Sequence, residues 1–85
     1  MNQFTYTLQH DTGIHARPAG LIVNEAKKYE CKITLQVKDR SADAKGVFGV
    51  MGLAAKGGDN VTVTCTGEDA PAACSALQKL FQENL

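Results

Sequence analysis

The chain has 85 residues, with nine basic and nine acidic side chains balancing to zero, 44% hydrophobic and 21% charged residues. That length suits one modest core and a single domain over residues 1–85, and the composition excludes disordered and fibrous classes. Zero net charge argues against a nucleic-acid partner, which requires broad phosphate neutralisation, but leaves room for a local basic patch.

Phe4, Tyr6 and Leu8 alternate with Gln3, Thr5 and Thr7, the period-2 pattern of a half-buried strand. Asp11, Thr12 and Gly13 then signal a turn. After it, Ala16, Ala19, Ile22, Val23, Ala26 and Tyr29 follow helical spacing, with Pro18 in the first turn, where its missing N–H is harmless. Ile33, Leu35 and Val37 predict a second strand. A weaker extended piece at Arg40 to Asp43 pairs with it through a turn at Lys38 and Asp39.

The next segment, Val47 to Ala54, reads VFGVMGLA. As a helix it places Val50, Leu53 and Ala54 on one arc and Val47, Phe48 and Met51 on another, with no polar face. In so small a domain such a helix is not wrapped on all sides, so part of it is expected to be a docking surface. Gly57 and Gly58 break the chain before a last strand containing Val61, Val63 and Cys65, and Gly67 turns it. The final helix carries Ala70, Ala73, Cys74, Leu77, Leu80 and Phe81 on one face, with Asp69 as its N-cap, Pro71 in its first turn and Lys79 toward its end. The order β-α-β-β-α-β-α predicts an α+β fold with helices layered on one face of a mainly antiparallel sheet.

Cys31, Cys65 and Cys74 form no CxxC pair and stand at no ligand spacing from His10 or His15, so they read as buried free thiols of a reducing compartment. No metal site and no cofactor are expected. The first ten residues lack the basic region and long apolar run of a secretion signal, and no window is long enough to span a membrane. The expectation is a cytoplasmic chain without direct membrane insertion.

Chemistry concentrates at the start of the first helix. His15 precedes the first helical residue, Ala16, and Arg17 follows. The amides of Ala16 and Arg17, with the helix dipole, form an anion site, and the Arg17 guanidinium adds charge-assisted hydrogen bonds. A neutral imidazole is a competent nucleophile, and a helix N-terminus disfavours its protonated form. The arrangement suits reversible phosphoryl transfer on a ring nitrogen. The bland alternative is that His15 only caps the helix. His10, ending the first strand, reads as a surface residue.

The stretch GIHARPA, Gly13 to Ala19, resembles the phosphorylation-site signature of the histidine-containing phosphocarrier (HPr) family of the sugar phosphotransferase system. The later GVFGVMGLAAKGGDNVTV is similar to that family's second-helix segment, so the resemblance covers essentially the whole chain. It implies an open-faced β-sandwich, strand order 1-4-2-3, with three helices on one face. It implies that His15 takes phosphate at Nδ1, the pros nitrogen, from Enzyme I and passes it to IIA domains of sugar permeases, with Arg17 supporting the phosphate. On this reading the protein is not an enzyme but a transiently phosphorylated carrier, acting as a monomer. The alternative is an HPr-like regulatory binding protein using the same surface without phosphate transfer.

A mildly basic face of Arg17, Gly20, Asn24, Lys27 and Lys28, beside the apolar Val47, Phe48 and Met51, is the expected partner-binding surface. Where many Gram-positive relatives carry a regulatory serine, this chain has Gly46, which has no hydroxyl to phosphorylate; Ser41 is no obvious substitute.

Overall fold

In the computed structural model, which describes residues 1–85, the alternating stretches become β1 (Asn2–Thr7), β2 (Lys32–Val37), β3 (Arg40–Asp43) and β4 (Asn60–Thr66). The helically spaced stretches become α1 (Ala16–Ala26), α2 (Val47–Gly52) and α3 (Ala70–Asn84). The sheet runs β1-β4-β2-β3, with every neighbouring pair antiparallel. The fold is thus the expected four-stranded antiparallel sheet in the order 1-4-2-3, with three helices.

Alternation divides the two faces of the sheet. Phe4 on β1 pairs with Val63 on β4, and Leu35 on β2 pairs with the same Val63. These positions contribute to one continuous core of 24 buried residues beneath the helices. The other face is lined by threonines and amides: Gln3 Nε2 donates to Thr64 Oγ1 at 3.0 Å, and the Thr5 and Thr62 hydroxyls bond at 3.1 Å. A face made of these residues needs no covering layer, since water and cross-strand bonds satisfy it.

Helix α3 closes the core with Phe81, whose ring meets Phe4 edge-on at 5.5 Å and Tyr6 at 5.7 Å between centroids. Edge-to-face geometry places the positive rim of one ring on the negative face of the other. The three thiols lie in the core. Cys65 on β4 touches both Cys31 and Cys74, and burial first, then these neighbours, pushes its thiol up to about 12. It is therefore a poor nucleophile.

Several local expectations need correction. Strand β1 stops at Thr7; Leu8 is still buried but bonds to the loop before β4, its N–H donating to Asp59 O at 2.9 Å. Helix α1 stops at Ala26, because Lys28 N and Tyr29 N turn back to Glu25 O and Ala26 O in tighter i→i−3 bonds. The Lys45 ammonium then covers the Tyr29 carbonyl at 2.7 Å. Lys79 does lie toward the end of α3, although the last turn, ending at Asn84, carries no basic residue.

Asp69 stands at the N-cap position of α3, but its side chain caps nothing there. Its carboxylate instead accepts the N–H groups of Glu30 at 2.8 Å and Cys31 at 3.0 Å, clamping the entry to β2. The Glu30 amide bond is the main reason the carboxyl is held below its ordinary value.

Candidate functional site

The turn before α1 is locked to the loop before β4 by close backbone approach. Gly13 has φ +60, and a Cβ there would lie 2.0 Å from the Ala55 carbonyl oxygen and 2.6 Å from Lys56 Cα. Only glycine combines that left-handed conformation with that contact. Ile14 N donates to Ala55 O at 3.2 Å, and Gly13 N donates back to His10 O at 2.9 Å. Gly57 meets the other side of the turn, where a Cβ would sit 2.7 Å from His10 O. Buried Ile14 completes the lock, so His15 emerges from a braced turn.

His15 is the N-cap residue of α1, with extended backbone (φ −96, ψ −167), and its carbonyl accepts Ala19 N at 3.0 Å. Its ring makes no capping hydrogen bond. The imidazole is exposed and uncommitted, which removes the observation that a capping role needs. The amides of Ala16 and Arg17 find no acceptor in the chain. They are the orphan donors of a helix start, and with no acidic residue in the first turn nothing competes with an anion for them. Pro18, which has no amide, is buried and adds none.

His15 and Arg17 line one open cleft of about 360 Å³. Its far wall is the end of α3, where Glu83 is the only acidic side chain lining it. That end is held in place by the Gln9 N–H, which donates to Leu85 O at 3.0 Å. The cleft also contains His10. The sequence reading placed His10 on the surface, where it is, but missed that it faces the same space as His15. The signal available was its position five residues upstream in the same turn. The contribution of α3 is purely tertiary and had no local signal.

The expected partner face lies beside this cleft, not in it. Asn24 and Lys27 are exposed on α1, Lys27 being its C-cap residue, and Gly20 is half-buried. Lys28 is engaged with Glu25 at 3.2 Å, so it is less free than Lys27. On α2, which packs against α1, Val50 and the following Leu53 are buried. Phe48 is 85% exposed and Met51 39%, with Val47 half-buried. Ala54 departs from the expected buried arc: it is exposed, past the helix end, with φ +52. Gly46 is the N-cap residue of α2 and is exposed.

A sequence profile described as the PTS HPr component phosphorylation site matches residues 2–83. The chain belongs to the HPr family. It is a phosphocarrier of the phosphotransferase system. The phosphocarrier protein HPr of Treponema pallidum is 40% identical over 78 residues, 92% of this chain and 89% of that one. The solved histidine-containing phosphocarrier protein of Mycoplasma has a TM-score of 0.91 at 30% identity, covering 93% of this chain and 90% of its own. A multiphosphoryl transfer protein of Xanthomonas campestris pv. campestris is 34% identical over 79 residues; these are 93% of this chain but 9% of that protein's length. No helix of the chain is long and apolar enough to cross a membrane.

Proposed function

We propose that this HPr chain carries the phosphoryl group on His15 Nδ1, receives it from phosphorylated Enzyme I and delivers it to IIA domains of sugar permeases. The observation that carries this reading is the exposed, uncommitted His15 ring beside two acceptor-free amides and Arg17 in one cleft. In the forward step the ring-nitrogen lone pair attacks phosphorus. A P–N bond forms as the donor's bond to phosphorus breaks, and delivery to the acceptor is the same displacement in reverse. The Ala16 and Arg17 amides and the Arg17 guanidinium hold the phosphoryl oxygens, so the group keeps one orientation for both partners.

Docking uses the exposed Phe48 and Met51 with Val47 as an apolar centre, beside Gly20, Asn24 and Lys27 on α1. An apolar centre with a positive rim suits brief encounters with acidic partners. The carrier works in the cytoplasm as a monomer, without a metal or cofactor, and without serine phosphorylation at position 46. Incubation with phosphoenolpyruvate and Enzyme I is expected to give an acid-labile label that His15→Ala abolishes. A label that survives in the variant refutes the site.

A further inference from the structure

We propose that His10 is a second phosphate-contacting residue, whose imidazolium form pairs with the phosphoryl group on His15 and slows its loss to water. This rests on the carrier reading above and adds a residue to it.

His10 and His15 are the two histidines of the chain, and both line the same cleft. The position of His10 is not left to a mobile loop. Its carbonyl oxygen accepts Gly13 N at 2.9 Å, and Gly57 packs so closely against that oxygen that a Cβ would stand 2.7 Å away. The backbone that carries His10 is therefore part of the same brace that presents His15. The ring itself is exposed and makes no hydrogen bond to the chain, so it is free to meet a group that arrives. At about 360 Å³ the cleft is wide enough for the phosphoryl group with bridging water.

The titratable and charged groups that share the cleft with His10 are His15, Arg17 and Glu83. Arg17 and His15 stand on the α1 side and Glu83 on the α3 side; Asp11 adjoins His10 in the turn and Lys56 follows the loop residue Ala55. Before phosphorylation Glu83 is the acidic side chain that lines the cleft. Phosphorylation adds up to two negative charges inside the cleft, and a neighbouring anion favours the charged form of an imidazole. A cationic ring at position 10 forms charge-assisted hydrogen bonds to the phosphoryl oxygens, which a neutral ring does not.

The direction follows from the chemistry of loss. Hydrolysis breaks the P–N bond, transfers the phosphoryl group to a water oxygen, and returns the electron pair to the His15 nitrogen, which takes up a proton as phosphate leaves. In a loose transition state the phosphorus–nitrogen bond is largely broken before the new bond forms, and negative charge drains from the phosphoryl oxygens. A cation pairing with those oxygens holds the ground state more strongly than the transition state. Imidazolium at position 10 therefore slows loss, and a neutral ring does not.

The test prepares the phosphorylated full chain in two ways, with phosphoenolpyruvate and Enzyme I and with the small donor phosphoramidate. Loss of phosphate is followed by 31P NMR from about pH 5.5 to 8.5. At the acidic end of that range the His10→Ala form is expected to lose phosphate several-fold faster than the unsubstituted chain, the difference closing as pH rises. His10→Lys keeps a cation at every pH and is expected to retain the slow rate throughout, which a merely structural role would not produce. A Glu83→Gln background removes the competing carboxylate and is expected to leave the His10 effect in place. Superimposable rates for the unsubstituted and His10→Ala forms overturn the inference. Failure of both donors to phosphorylate the unsubstituted chain instead overturns the carrier reading on which it rests.

Discussion

Gly13→Ala tests whether the backbone lock before α1 is what presents His15. The new Cβ would stand 2.0 Å from the Ala55 carbonyl oxygen and 2.6 Å from Lys56 Cα, both backbone atoms that cannot rotate away. Ordinary contact at such a position begins at 3.4 Å, so one loop must withdraw by more than an ångström. That withdrawal breaks the 3.2 Å bond from Ile14 N to Ala55 O, worth about 1 kcal/mol net. Holding alanine at φ +60 adds roughly 1–2 kcal/mol. The expected loss is about 2–3 kcal/mol, or roughly 10–20 °C in Tm for a domain of this size. Urea unfolding gives the stability, and the initial rate of labelling from Enzyme I gives the function. The lock predicts that both fall, with labelling reduced even where the variant is fully folded, because His15 follows the displaced turn. Unchanged stability and an unchanged labelling rate would refute the lock; a stability loss with normal labelling would leave the glycine structural and detach it from the site.

Ala54→Gly removes the other left-handed strain near this loop, at φ +52. Relief of roughly 1–2 kcal/mol, offset by about 0.5–1 kcal/mol of glycine entropy, is expected to raise stability by about 0.5–1 kcal/mol in thermal melts. A lower Tm contradicts that account. Phe48→Ala removes a ring that is 85% exposed, so stability is expected to stay within about 0.5 kcal/mol while transfer with Enzyme I or IIA slows about tenfold. Transfer rates equal to wild type with both partners rule out Phe48 as an anchor. Asp69→Ala deletes the acceptor of the Glu30 and Cys31 amides and is expected to destabilise the fold at neutral pH. Because the folded carboxyl is held below its unfolded value, its contribution is present above about pH 4 and lost as pH falls through the folded value. The stability gap between variant and wild type should therefore narrow on acidification below that pH; a gap that widens there reverses the sign.

The sheet and the helix order were legible because burial on one face writes period 2 or period 3.6 directly into the residues. Phe4, Ile33, Leu35, Val61 and Val63 all occupy the core face that alternation assigned them. The exposed side of α2 was legible for a related reason. A six-residue helix whose side chains are all apolar cannot bury all of them in one small core, and Phe48, with Met51 in part, is left out. What alternation does not encode is where an element stops. The chain beyond the ends of α1 and β1 is settled by tertiary partners, Lys45 on the Tyr29 carbonyl and Asp59 on the Leu8 amide, that lie far along the chain.

Asp69 shows the same limit in a single side chain. Its place ahead of Ala70 and Pro71 fits an N-cap, and it does stand at the cap position. Yet the amides of Glu30 and Cys31, brought alongside by the sheet, offer two directed donors where a helix start offers a looser one. A carboxylate takes the pair, since two charge-assisted bonds outweigh one cap. His10 shows the mirror image: its exposure follows from the sequence, but its company does not. A residue on the surface is uninformative until the fold shows what shares that surface, and here the turn that carries His10 curls back on the helix mouth through Gly13. Local pattern thus predicts which side chains leave water, whereas the chemistry of those that stay in it is decided by which distant loops close around them.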